Sequence, residues 1–275
     1  AVGMAIGAGW AGARSMTSTS GPGISLMAEF TGFAYYAEIP VVIFDVTRVG
    51  PSTGLPTRTQ QSDIFSLAFL SHGDTKHIVL IPGSIKECFS MTMDAFDLSE
   101  RFQTPVFIMS DLDLGMNAWM SDPLEYPTEK FDRGKVLSKE DLNRVGSFGR
   151  YDDVDGDGIP YRTYPGTHPE KGAYFTRGTS HDENAKYTED GKVNAENLSR
   201  LLRKYQTASE LVPRPEFQQD SNSSSIGVIY FGSTDSSMQE ALDLLREEEI
   251  ILDAMRLRSF PFNLEVWEFI EDHDL

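Results

Sequence analysis

The sequence has 275 residues, of which 40% are hydrophobic and 11% aromatic, enough for one large packed domain or two ordinary ones. Its formal net charge of −18 argues against nucleic acid as a main partner, because phosphate binding needs a basic face. The one cysteine, Cys88, excludes a disulfide framework, a cysteine-ligated zinc site and a self-contained iron–sulfur cluster.

No apolar run reaches the ~18 residues of a membrane span, so the sequence reads as cytoplasmic, without a membrane partner. The opening AVGMAIGAGWAGA lacks a basic leader and is not a signal peptide. It begins on Ala1 inside a predicted helix, which suggests a truncated N-terminus. In chain order the pattern predicts a Gly/Ala-rich helix over 1–12, a strand over 14–19 and an apolar helix over 24–37. A strand over 40–46 follows, then a helix over 59–70, capped by Ser62 or Thr59. A strand at 77–83, a helix at 84–102 and a strand at 104–111 complete the run. Continuous apolar strands alternating with helices imply an α/β fold with a parallel sheet covered on both faces.

After Gly115 the periodicity fails. Residues 116–212 are rich in Pro, Gly, Asp and Tyr, and the one strong helix is at about 194–211. Seven tyrosines between 126 and 205 make the stretch too aromatic for disorder, so it reads as an ordered, irregular excursion wrapping over a neighbour. PRPEFQQDSNSSS (213–225) has the composition of a linker. From 226 to 275 the α/β pattern returns as strand, helix, strand, helix, the start of a second, incomplete α/β domain. No internal repeat is present.

Four stretches invite chemistry. GAGWAG (7–12) matches the dinucleotide-binding GxGxxG, but that turn needs a preceding strand and only six residues are available, so helix packing is the better reading. TSTSGPG (17–23) follows a strand and opens a helix, where backbone N–H groups can hold an anion or a cofactor edge; an ordinary connection explains it equally well. VTRVGPSTGLPTRT (46–59) leaves the C-terminal end of a parallel strand, where ligands bind in open α/β sheets. Its prolines stiffen it, its glycines admit a ligand, and Arg48 offers a bidentate grip on a carboxylate or phosphate. DDVDGDGIP (152–160) spaces Asp153, Asp155 and Asp157 as in the front half of a calcium loop, with Tyr164 where a bidentate Glu belongs; Ca²⁺ and a plain acidic turn are both open. The five histidines show no metal spacing, and Cys88 reads as a small hydrophobe.

SMTSTSGPG followed by PVVIFDVTRVGPSTGLPTRTQQSD resembles the α subunit of 2-oxoacid:ferredoxin (acceptor) oxidoreductases, closest to the 2-oxoglutarate type. The likeness continues through PLEYPTEKFDRGKVLSKEDL, GRYDDVDGDGIPYRT, AYFTRGTSHDENAKYTED and LRSFPF, nearly the whole chain. It implies a thiamine-diphosphate-binding, pyrimidine-type domain over 1–212. It implies oxidative decarboxylation of a 2-oxoacid to acyl-CoA, with coenzyme A as co-substrate and electrons passed to ferredoxin. A β subunit would hold most of the thiamine diphosphate, its Mg²⁺ and an iron–sulfur cluster. By that resemblance Arg48 binds the substrate carboxylate; Gly50, Ser52 and Thr53 line the same pocket, and Ser20, Gly21, Pro22 and Gly23 form the cofactor wall. Val49 stands where many relatives have Gly.

The family's pyrimidine-protonating glutamate precedes AVGMAIG, and its Tyr-Pro-Ile-Thr-Pro segment lies further upstream. Neither is in this sequence, which is expected to be a fragment cut at both ends and inactive alone. A reading of another class is a non-catalytic α/β assembly module that docks a partner through its acidic excursion. A transketolase-type thiamine enzyme fits the GPSTGLPT loop and the excursion less well.

Overall fold

The computed structural model describes residues 1–218 and 224–274. The first half runs α1 (Val2–Trp10), β1 (Met16–Thr19), α2 (Gly21–Ala37), β2 (Val41–Thr47), α3 (Ile64–Ala68), β3 (Ile78–Leu80), α4 (Ile85–Phe102), β4 (Pro105–Asp111) and α5 (Leu112–Met116). The excursion holds α6 (Lys139–Arg144) and α7 (Gly191–Ala208). Then come β5 (Glu216–Gln218), β6 (Gly227–Phe231), a 3₁₀ turn (Gly232–Thr234), α8 (Asp235–Glu247), β7 (Asp253–Leu257), β8 (Ser259–Phe260) and α9 (Leu264–Asp272). Among the described residues no helix is long and apolar enough to cross a membrane.

The first sheet has the order β1-β2-β4-β3-β8; its first four strands are parallel, as the sequence predicts, and β8 is antiparallel to β3. Alternation along β2 explains the burial of both faces. Val41 and Ile43 join a core with Ile6, Ile24 and Ala34 from α1 and α2. Val42 joins another with Met91, Ala95 and Leu98 from α4 and Ala208 from the end of α7. The glycines of GAGWAG serve helix packing: a Cβ on Gly9 would stand 2.1 Å from the Pro40 carbonyl oxygen.

Several boundaries differ from expectation. Residues 59–63 are not helical; α3 begins at Ile64 behind Asp63, which is left-handed (φ 68°), and neither Ser62 nor Thr59 caps it. The Gln60 carbonyl and the side chains of Gln60 and Gln61 are bonded elsewhere. Glu216–Gln218, expected in a linker, form β5, because Phe217 packs on Phe269 and Glu216 meets Arg256; residues 219–223 of that stretch lie outside the described residues. The second sheet, β5-β7-β6, is tied to the first, since the chain leaves β7 and pairs Ser259 and Phe260 with Leu80 and Val79. Arg256 and Arg258 reinforce this join by donating to Glu87 in the first turn of α4.

The excursion is ordered against the chain's own helices. Glu38, buried and left-handed at the end of α2, accepts from Arg200 (3.1 and 2.5 Å) and Lys204 (2.7 Å) of α7, and its carbonyl accepts from Arg150 (2.9 Å). Arg162 pairs with the buried Glu100, and Gln103 donates to the Pro160 carbonyl at 2.6 Å. All of this lies where α2 and α4 enter β2 and β4, the N-terminal edge of the sheet.

Candidate functional site

At the opposite edge, β1, β2 and β4 release the candidate loops side by side. Thr19 pairs with Asp45 and Thr47 with Asp111 in the ladders, so the 20–23 turn and the Arg48 loop leave adjacent strands. The turn requires its glycines. A Cβ on Gly23 would stand 1.8 Å from Thr19 Oγ1, and one on Gly21 would stand 2.8 Å from Asp63 Oδ2. Pro22 fits the helix start, where an N–H has no intrahelical partner. Ser20 is the N-cap, and its side chain makes no capping bond.

The Arg48 loop is exposed from Gly50 to Gln60 yet internally bonded. Val49 N donates to Arg58 O (3.0 Å), Leu55 N to Val49 O (3.1 Å) and Arg58 N to Leu55 O (3.0 Å). Val49, where the resemblance suggests Gly, thus bridges Leu55 across the loop. Ser52 has φ 57°, and Gly54 (φ 47°) closes where a Cβ would meet Val49 O at 2.0 Å. Gln60 carries the return leg: its carbonyl accepts from Thr47 Oγ1 (2.5 Å) and its side-chain oxygen accepts from Gly50 N (3.0 Å).

Within this frame Arg48 is lightly committed. Its Nη1 reaches Pro56 O at 3.5 Å, and its buried Nε has no hydrogen-bond partner among the described residues. A buried guanidinium N–H without a partner is costly, so the arrangement suits an anionic ligand that supplies the acceptor. Gly50, Ser52 and Thr53 sit on the exposed tip beside it.

Beneath the loops lies a group sequence reasoning passed over. Asp45 is fully buried in β2, and neither carboxylate oxygen has a hydrogen-bond partner among the described residues. Burial first, and the Asp63 carboxylate second, push it up to about 7; burial also raises Asp63. The signal was available: one acid inside the apolar run VVIFDVT. Gln61 and Asp111, which bond to the second sheet, had no such signal.

The other candidates do not join the site. Asp153, Asp155 and Asp157 lie at the excursion edge and do not gather about a common point. Arg203 donates to Asp153 (2.8 Å), while the Lys135 ammonium bridges Asp155 (2.7 Å) and Asp157 (2.9 Å). Among the described residues no group of three or more His, Cys, Asp or Glu is placed to hold a metal ion. The calcium reading is therefore corrected: cationic side chains take the carboxylates that the spacing offered to a metal. His77 is buried, its Nε2 donates to the Leu70 carbonyl (2.9 Å), and burial lowers it to about 4. Cys88 is partly buried and burial raises its thiol, so it is no ready nucleophile.

Comparison with known proteins adds relatives to this geometry. Residues 1–205 match the family described as "Pyruvate flavodoxin/ferredoxin oxidoreductase, thiamine diP-bdg". The chain is 37% identical over 262 residues to 2-oxoacid:ferredoxin oxidoreductase 2, subunit alpha, of Aeropyrum pernix, covering 94% of this chain and 39% of that one. It is 30% identical over 266 residues to 2-oxoglutarate synthase subunit KorA of Methanocaldococcus jannaschii, covering 94% and 67%. Among solved structures it resembles 2-oxoglutarate:ferredoxin oxidoreductase from Magnetococcus marinus with 2-oxoglutarate, coenzyme A and succinyl-CoA bound. That match has a TM-score of 0.89 at 30% identity, covering 99% of this chain and 47% of that one. The chain thus spans less than half the length of several of its relatives.

Proposed function

Because this chain belongs to the pyruvate flavodoxin/ferredoxin oxidoreductase family through its thiamine-diphosphate-binding domain, we propose that it serves in the α subunit of a 2-oxoacid:ferredoxin oxidoreductase. The reaction is the oxidative decarboxylation of a 2-oxoacid, 2-oxoglutarate foremost, to its acyl-CoA, with the electrons passed to ferredoxin. The observation that carries this reading is Arg48, a cation with an unanswered buried N–H at the C-terminal edge of the parallel sheet. It grips the substrate carboxylate through two planar N–H groups. Gly50, Ser52 and Thr53 close over the substrate and exclude water.

Thiamine diphosphate, when bound, supplies the electron sink for cleavage beside the 2-oxo group. The residues at the 20–23 turn fit a cofactor edge: the Ser20 hydroxyl makes no capping bond, and Gly21 and Gly23 let the turn pack closely on Asp63 and Thr19. Asp45, raised to about 7, is not fully ionised at neutral pH, so the wall carries no fixed buried anion there. The β subunit is assigned the diphosphate, its Mg²⁺ and the iron–sulfur cluster, in keeping with the lone Cys88 here.

The test is to purify the full-length subunit with its natural partners and follow 2-oxoglutarate- and CoA-dependent reduction of a viologen dye, with pyruvate as comparison. Dye reduction with thiamine diphosphate and iron in the complex is the expected result; a complex with neither would sink the reading. In the same assay Arg48→Lys should lower kcat/KM about tenfold, chiefly by raising KM, because lysine loses the planar two-bond grip. Unchanged kinetics would remove Arg48 from the site.

A further inference from the structure

The return leg of the Arg48 loop is stitched to a turn 170 residues away in sequence. Gln61 Nε2 donates to the Phe231 carbonyl at 3.0 Å and lies 3.3 Å from Ser233 Oγ. Gln61 Oε1 accepts from Thr234 Oγ1 at 3.1 Å. Ser233 Oγ in turn donates to Asp111 Oδ2 at 2.6 Å, and Asp111 Oδ1 accepts from Leu114 N at the start of α5. Asp111 is the ladder partner of Thr47, whose hydroxyl holds the Gln60 carbonyl. Gln60 and Gln61 therefore close a ring of hydrogen bonds around the ends of β2 and β4, and the 231–234 turn of the second sheet is a member of it. The turn is shaped for the purpose: Gly232 is left-handed (φ 62°), and a Cβ there would stand 3.0 Å from Gln61 Nε2.

We propose that Gln61 is a positioning residue for substrate binding, a latch through which the second sheet sets the Arg48 loop. The inference rests on the proposed function for its kinetic consequence but not for the latch itself. Gln60 and Gln61 are adjacent, and Gln60 holds Gly50 N, two residues from Arg48. Release of Gln61 frees the return leg, and with it the backbone that aims the guanidinium. The 231–234 turn also begins α8, so any shift of the second sheet on the first is felt at Gln61 before it is felt in the core.

Two variants test this from opposite ends. Gln61→Glu keeps the side-chain shape but replaces the N–H donor facing the Phe231 carbonyl with an acceptor. Ser233→Ala acts from the second sheet and reaches the loop through Gln61 and through Asp111, the ladder partner of Thr47. In the full-length protein, millisecond hydrogen exchange should rise about threefold or more at the amides of Val49, Gly50, Leu55 and Arg58 in both variants, with less than the summed effect in the double variant. Amides of Val106 to Met109 in β4 should not change, which separates release of the loop from general unfolding. Loop exchange unmoved in both variants, or moved by Gln61→Glu alone, would overturn the latch. In the purified complex each variant should raise the KM for the 2-oxoacid about three- to tenfold, with kcat within about twofold. An active unaltered complex whose KM is insensitive to both variants would overturn the positioning role. An inactive unaltered complex would instead strike the proposed function, and the exchange data alone would then decide the latch.

Discussion

Glu38→Ala should destabilise the protein by about 3–5 kcal/mol, the usual cost of breaking a buried ion pair from one side. Glu38 faces three buried cations: Arg200 and Lys204 bond its side chain, and Arg150 bonds its carbonyl. Burial opposes its charge, but Arg200 and Lys204 outweigh burial and hold its carboxyl down at about 2. Lys204 shows the imbalance from the other side: burial, and repulsion from Arg200 and Arg150, lower it to about 8 despite its bond to Glu38. Removing Glu38 leaves like charges buried together without the carboxylate that bonds them. Because the folded carboxyl titrates below its unfolded value, the stability it contributes is present above about pH 4.5 and is lost as pH falls toward 2. Urea denaturation of Glu38→Ala at pH 7 measures the loss. A second variant, Glu38→Ala with Lys204→Met, should recover part of it by removing one uncompensated charge. A single variant within about 1 kcal/mol of the original protein would show that the excursion is not anchored there.

Asp45→Asn should do the reverse, stabilising the protein at alkaline pH. Asp45 is raised to about 7 by burial and by Asp63, so its protonated form is the one the fold prefers. The sign follows: the stabilisation is complete below the unfolded value near pH 4 and is lost as pH rises through about 7. Above pH 8 the ionised carboxylate costs roughly 2–4 kcal/mol, since neither oxygen has a hydrogen-bond partner among the described residues. Asparagine keeps the shape without the charge. Thermal melts from pH 4 to 9 should show the original protein losing stability toward alkaline pH, with Asp45→Asn flatter and more stable by pH 9. Parallel curves would mean that Asp45 ionises without penalty and is solvated in a way its burial does not show.

The parallel sheet was legible because its strands are continuous apolar runs such as VVIF and VFIM, buried on both faces. The Arg48 loop was legible because glycine and proline advertise backbone geometry. What stayed hidden depends on partners far along the chain. Residues 59–63 look helical until Gln61 is seen bonded to Phe231. A two-residue strand, Ser259–Phe260, carries no periodicity at all. The calcium pattern failed for a related reason, since spacing records where Asp155 and Asp157 sit but not that Lys135 lies between them. Asp45 was visible as an acid among apolar residues; its proximity to Asp63 was not.

The Glu38 anchor also orders events during synthesis. Its counter-charges at Arg200 and Lys204 follow it by 162 and 166 residues. At the usual ~5–20 residues per second a ribosome needs on the order of ten seconds or more to deliver them. The strand that covers the outer edge of β3 arrives later still, at Ser259. A nascent chain that closed its first sheet early would bury a lone carboxylate and leave a strand edge bare. The first sheet therefore gains its anchor and its covered edge only after residues 200–260 have been made, although most of its own core residues precede them.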